Sequence, residues 1–218
     1  MKKLFIFGFE GTIVDTSPGI LFCFNTTALS MGYSPVPHDS LYGVIGIPLE
    51  QGFRRLYGMK EDEIEYAVNN YSKLYSMKGE EMLMFYSGVQ ECLEGLKQNG
   101  CKLAIATQQH RKYITNMLTT YPEIGSLFDV VCATDVDTYM NKRDMILQVC
   151  ETLEISKDEA IVVGDSYVDA EGAREAGVDF AAALYGWGFR SKADAEKYHC
   201  KAYLNKAGEI GYKLSAIE

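Results

Sequence analysis

The sequence predicts an α/β protein: a doubly wound parallel sheet into which one all-helical domain is inserted. Three observations carry this. Short, uninterrupted apolar runs recur along the chain, the pattern of strands covered on both faces. Amphipathic helical patterns lie between them, an alternation that builds parallel sheets through right-handed crossovers. The alternation breaks over one long stretch after the first run, where helical patterns alone are found.

The first run is Leu4-Phe5-Ile6-Phe7, followed by Gly8-Phe9-Glu10-Gly11-Thr12. It reads as a buried strand ending in a glycine-rich loop. From Asp15 to Ser87 no clear strand is visible. Thr16-Ser17-Pro18 resembles a helix start with an early proline. Ile20 to Met31, Leu49 to Tyr57 and Ile64 to Tyr75 are helical, the last opening among Glu61, Asp62, Glu63 and Glu65, which suit a helix dipole. A block of about 70 residues is too long for a loop. The expected domains are therefore an α/β core of residues 1–14 and 88–218 and a helical insertion of residues 15–87. Strand and helix then alternate. Val89 to Gln98 places Val89, Cys92, Leu93 and Leu96 on one face and stops at Asn99-Gly100. Leu103–Ala106 and Val130–Ala133 read as strands, and Met145, Ile146, Val149, Cys150 and Leu153 form the next helical stripe. Ala160–Val163, a short helix from Ala170 to Ala176, Phe180–Leu184 and Lys201–Leu204 complete the series before a last helix.

Composition narrows the function. Hydrophobic residues are 47% of the 218, charged residues 23%, and the net charge is −9. An acidic surface argues against nucleic acid or an anionic membrane as the main partner, yet leaves room for a small phosphorylated ligand in a locally positive pocket. Six cysteines without a C-x-x-C pair, and three histidines, make a zinc site a poor reading; the cysteines look like small buried hydrophobes. The apolar run at the start ends at Phe9, too short for a signal peptide, and no stretch has transmembrane length. A cytoplasmic location is the expectation. Oligomeric state is not legible.

Four segments fall at or just beyond the carboxyl ends of expected strands, where open α/β sheets bind ligands. They are the loop from Gly8 to Thr12, then Thr107-Gln108-Gln109, then Asn141-Lys142-Arg143, then Gly164-Asp165-Ser166-Tyr167-Val168-Asp169. Together they offer a hydroxyl, an ammonium and three carboxylates. That set suits a metal-bound phosphate, with carboxylates for Mg²⁺ and Thr plus Lys for the phosphoryl oxygens.

These segments resemble the motifs of the haloacid dehalogenase superfamily. Its first motif reads D-x-D-G-T-[LI]-x-D-[ST], and this chain reads Gly8-Phe9-Glu10-Gly11-Thr12-Ile13-Val14-Asp15-Thr16. The second motif, a Thr or Ser closing an apolar strand, matches Thr107. The third, a lysine opening a helix, matches Lys142, with Met140 as the residue of an alternative register. The fourth, G-D-x-x-x-D, matches Gly164, Asp165 and Asp169. The helical insertion resembles that family's cap. Pro18-Gly19-Ile20, Ile45-Gly46-Ile47-Pro48-Leu49, Tyr57-Gly58 and Leu184-Tyr185-Gly186-Trp187-Gly188 are similar to the phosphoglycolate-phosphatase-like branch.

The resemblance implies a Mg²⁺-dependent phosphomonoester hydrolase acting on a small phosphorylated molecule. It implies that Thr107, Gln108 and Lys142 contact the phosphate. It implies that Asp165, Asp169 and the backbone carbonyl of Glu10 bind the metal, and that Glu10 takes the acid/base position. The nucleophilic aspartate of the family is absent: Gly8 stands there, with no side chain to attack or to bind metal. Mg²⁺ affinity should fall accordingly. Three readings follow. The chain is a silent or impaired homologue that binds a phosphorylated ligand or a partner; or it hydrolyses through water activated by Glu10, with Gly8 leaving room; or positions 8 and 10 were altered deliberately in an active phosphatase.

Overall fold

The computed structural model describes residues 2–135 and 140–214. Strand β1, Leu4–Phe7, is buried along its whole length, as its four apolar side chains require. The chain then enters a compact unit of its own, Val14–Met84; the other unit comprises Met1–Ile13 and Phe85–Glu218.

Strand β2 (Val14–Asp15) pairs with β3 (Met84–Phe85) in a two-stranded ribbon. Two-residue strands carry no periodicity, so the sequence showed helices alone here. Between the strands run α1 (Ser17–Ser30), α2 (Leu49–Tyr57) and α3 (Glu61–Met77). Helix α1 opens with Pro18 in its first turn, and Asp15 accepts from the Ser17 amide at 2.9 Å. Helix α2 stops at Gly58, whose φ of 66° is left-handed. Helix α3 starts earlier than its apolar stripe suggests, because Glu61, Asp62 and Glu63 fill its first turn. The unit's core is aromatic. Phe24 meets both Phe53 and Tyr71 at 4.8 Å between ring centroids, and Tyr71 stacks on Tyr75.

The larger unit continues with α4 (Val89–Gln98), β4 (Lys102–His110), α5 (Arg111–Thr120), the short α6 (Pro122–Gly125), β5 (Val130–Thr134) and α7 (Lys142–Thr152). It ends with β6 (Ala160–Gly164), α8 (Tyr167–Ala176), β7 (Asp179–Ala183), the short α9 (Lys192–Ala195), β8 (Ala202–Leu204) and α10 (Ile210–Leu214). The six strands are parallel, in the order β5-β4-β1-β6-β7-β8. The chain builds from β1 towards β5, then returns to the other side of β1 with β6. Strand direction of growth therefore reverses between β1 and β6, and the crevice at their carboxyl ends is where such sheets hold ligands. Beneath it, Leu4, Ile6, Ala104, Val162, Met145, Ile146 and Ala173 belong to one buried cluster.

Candidate active site

The site grows from the paired ends of β1 and β6. The Gly8 amide donates to the Val163 carbonyl at 2.8 Å, so the first loop leaves the sheet beside the Gly164-Asp165 turn. Gly11 has φ +75°, and a Cβ there would collide with the Asp165 carboxylate. A glycine thus fits Gly11 on two counts, backbone hand and close approach. Asp165 is buried. Its Oδ2 accepts from the amides of Trp187 at 3.0 Å and Gly188 at 2.9 Å, and its carbonyl accepts from the Phe189 amide at 2.7 Å. Burial first, then the neighbouring Asp169, pushes the Asp165 carboxyl well above the aspartate range, against the pull of those two amides.

Lys142 opens α7, where the Asn141 side chain caps the helix by accepting from the Asp144 amide at 2.8 Å. Met140, the residue of the alternative register, packs against the buried cluster of the sheet. The Lys142 ammonium lies 2.8 Å from Asp169 Oδ1 and donates to the Ala106 carbonyl at 2.7 Å. Both side chains of the pair are below a tenth exposed. Asp169 is fixed on its other oxygen by the Ser166 hydroxyl at 2.6 Å and the Ser166 amide at 3.2 Å. Gly172, one turn along α8, makes room for this: a Cβ there would run into the stem of Lys142.

Strand β4 carries the remaining groups. Its pairing with β5 shifts register between Thr107 and His110. Thr107 is buried, and its Oγ1 accepts from the Gln109 amide at 3.2 Å. Gln109 then donates through its side chain to the Glu10 carboxyl. Burial raises the Glu10 pKa, only partly offset by this hydrogen bond. Gln108 is exposed, and its carbonyl accepts from the Thr134 hydroxyl at 2.9 Å. His110 caps α5, accepting from the Lys112 amide. Arg54 pairs with Glu61, and Arg55 donates to the Gly43 carbonyl.

Of the residues singled out by sequence, the structure joins Lys142 directly to Asp169, sets Asp165 beside them, and links Glu10 to Thr107 through Gln109. Three contributors were not singled out. Gln109 was quoted only as the end of a strand. The stretch Leu184-Tyr185-Gly186-Trp187-Gly188 carries the resemblance to the phosphoglycolate-phosphatase-like branch, but its sequence does not show that it anchors Asp165. Thr12 is fully buried, its carbonyl accepts from the Tyr185 hydroxyl at 2.9 Å, and its own hydroxyl has no hydrogen-bond partner among the described residues. The signal for Thr12 was its place in the first motif, which by itself says nothing of an unsatisfied hydroxyl.

The sequence profile of the haloacid dehalogenase-like hydrolases matches residues 5–183. The chain belongs to that family. A phosphoglycolate phosphatase of Psychrobacter arcticus is 26% identical over 197 residues, covering 86% of each chain. A pyrophosphatase of Bacillus cereus, PpaX, is 25% identical over 206 residues, covering 94% of this chain and 93% of its own. A solved haloacid dehalogenase-like family hydrolase of Streptococcus pneumoniae superposes with a TM-score of 0.79 at 28% identity, over 100% of this chain and 99% of the other. No helix among the described residues is long and apolar enough to cross a membrane.

Members of this family are expected to hold Mg²⁺ at this place, and the residues present fit it poorly. Position 8 supplies no carboxylate. Both oxygens of Asp169 are engaged, one by an ammonium, and Asp165 Oδ2 already accepts two amides. Among the described residues, no group of three or more His, Cys, Asp or Glu side chains could hold a metal ion. Octahedral Mg²⁺ usually takes one or two carboxylates and completes its shell with water and substrate phosphate. Here one carboxylate is committed to Lys142 and the other is buried against amides.

Proposed function

We propose that this haloacid dehalogenase-like protein binds a small phosphorylated molecule of the phosphoglycolate-phosphatase type and does not turn it over through an aspartyl-phosphate. Gly8 carries the second half of that reading: a glycine has no group to attack phosphorus. The first half is supported by the retained donors. Lys142 and Thr107 would bind phosphoryl oxygens, with Gln108 at the solvent edge. Asp165, Asp169 and the Glu10 carbonyl would be the remaining metal contacts, and we expect Mg²⁺ to bind weakly. The helical unit would be the cap that selects the substrate, and the protein would act in the cytoplasm. Loss of a covalent nucleophile typically costs many orders of magnitude in rate, leaving what the surrounding electrostatics supply.

The alternative, water activated by Glu10, is disfavoured by one observation. The Gln109 side chain already donates to the Glu10 carboxyl, the group that would have to take the proton of the water. The test pairs two readouts on the same samples, thermal stabilisation and phosphate release, across phosphomonoesters that include phosphoglycolate, with Mg²⁺ present. Stabilisation without release is expected. Release at ordinary phosphatase rates would overturn the reading, and so would the absence of stabilisation by any ester.

A further inference from the structure

A cavity of about 430 Å³ opens on the larger unit, within the size range of small-molecule sites. Its lining comes from the first residue of α8, from the turn after β7, and from α9 with the 3₁₀ turn behind it, Glu196–Tyr198. Lys142, Thr107, Asp165 and Asp169 take no part in it. Three of the lining residues are aromatic. Phe189 is buried and packs on Phe180 and Tyr198, at 6.3 and 5.6 Å between centroids, whereas Tyr198 is half-buried and Tyr167 is 60% exposed. Asp194 and Lys197 supply one charge of each sign. They stand three residues apart on consecutive helical turns and so share a face. Among the described residues, neither makes an ion pair. Asp194 Oδ2 accepts from the Ser191 hydroxyl at 3.0 Å and the Arg190 amide at 3.1 Å, contacts that hold its carboxyl below the usual aspartate range. Its Oδ1 accepts no hydrogen bond among the described residues. The Lys197 ammonium lies 5.0 Å from the centroid of the Tyr198 ring. The cavity therefore offers flat apolar walls, one acceptor and one donor, with the two polar groups left unpaired by each other.

We propose that this cavity binds a nucleobase, stacked against Tyr167 and Tyr198, with an N–H of its edge donating to Asp194 Oδ1 and the neighbouring ring nitrogen or carbonyl accepting from Lys197. Every base has a π face, so the walls hold a base without choosing one. The polar edge makes the choice of chemical class. A plain benzene ring uses the walls and leaves both charges unpaired. A base sets a donor beside an acceptor in the plane of its own ring, and it is neutral, as is the sum of the two side-chain charges. The Lys197 ammonium already lies over the Tyr198 ring, so the polar edge and the stacking body are wanted in one layer. In an aromatic amino acid the charged groups stand off the ring plane. An occupant also touches the turn that anchors Asp165, because the Gly188 and Phe189 amides donate to that residue.

The inference is independent of the phosphate-binding reading, and the probe keeps them apart, because adenosine carries no phosphate. Adenosine, purine riboside (the same ring system without the amino group) and L-phenylalanine are titrated calorimetrically into the full chain. Adenosine should bind with a Kd below about 1 mM. Purine riboside has no N–H on its edge for Asp194, and it and L-phenylalanine should bind at least about tenfold more weakly. Tyr167→Ala removes a stacking wall and should weaken adenosine about tenfold. Lys197→Met removes the donor and should weaken it about fivefold. Both residues are exposed, and the unfolding midpoint of each variant is checked first. A Kd weaker than about 1 mM overturns the inference. So does purine riboside or L-phenylalanine binding as tightly as adenosine, or an adenosine affinity unchanged in both variants. Each of these leaves the phosphate site standing. If one variant fails to fold, the other and the purine riboside comparison still decide.

Discussion

At the scale of single residues, the Lys142–Asp169 pair governs the site. Both partners are nearly excluded from water, so neither charge can be left alone cheaply. Removing the ammonium would also leave Asp169 beside Asp165 with only the neutral donors of Ser166, Trp187 and Gly188 to offset their repulsion. Lys142→Met should therefore lower stability by about 3 kcal/mol in urea unfolding. Adding Asp169→Asn should recover part of that loss, since the stranded charge goes with it. A loss well under about 1 kcal/mol for the single change would show that the pair is better solvated than its burial indicates. Metal binding belongs to the same scale. Calorimetric titration of Mg²⁺ into the unaltered chain should show no sub-millimolar affinity, because position 8 lacks its carboxylate and Asp169 is committed to Lys142. Tight binding would mean that Asp165 and backbone carbonyls suffice.

At the scale of elements, glycines inside helices separate packing from propensity. Gly95 sits in α4 with open space where a Cβ would be, whereas Gly172 in α8 faces the stem of Lys142. Glycine costs a helix interior about 1 kcal/mol relative to alanine. Gly95→Ala should then stabilise by roughly 0.5–1 kcal/mol. Gly172→Ala should destabilise by about 1–2 kcal/mol despite the same gain in propensity, because Lys142 must move. Thermal unfolding of the two variants side by side reads the sign of each, and a stabilised Gly172→Ala would show that Lys142 has slack. The elements themselves were legible to different degrees. The strands around the site are continuous apolar runs such as Leu4–Phe7 and Ala160–Val163, and burial on both faces leaves little else they could be. The β2–β3 ribbon was not legible, since its two-residue strands have no period. The extension of β4 to His110 was not legible either: past Ala106 its residues are polar, held in place by the Thr134 hydroxyl and the Gln109–Glu10 contact. That extension positions Gln109, which is why Gln109 escaped a reading based on apolar runs.

At the scale of the whole molecule, the sheet is tied at its base by ionic contacts distant from the site. Asp129 accepts from Lys97 of α4 at 2.8 Å, from Lys102 of β4 at 2.9 Å and from the Leu103 amide at 2.9 Å. Burial pushes its carboxyl up, but the Lys97, Leu103 and Lys102 contacts outweigh this and hold it at about 2, below its ordinary 3.8. A pKa depressed by folding contributes stability at pH above 3.8 and loses it as pH falls towards 2. The contribution is about 1 kcal/mol once screening by solvent is allowed for. Asp129→Asn should flatten the acid limb of the stability curve between those two values, and an unchanged limb would remove Asp129 from it. The family, the parallel sheet and the order of the four motifs were legible because each motif sits beyond an apolar strand. The pairing of Lys142 with Asp169, the anchoring of Asp165 by a turn some twenty residues on, and the unsatisfied hydroxyl of Thr12 are contacts across the fold that no local pattern encodes. The central proposal is that Gly8 separates binding from turnover in a site that keeps Thr107, Lys142, Asp165 and Asp169. It is tested most directly by aryl phosphate hydrolysis with Mg²⁺, comparing the unaltered chain with Gly8→Asp/Glu10→Asp. The account expects the double variant to gain at least about a thousandfold in rate. Turnover by the unaltered chain at a comparable rate, or no gain in a folded double variant, would contradict it.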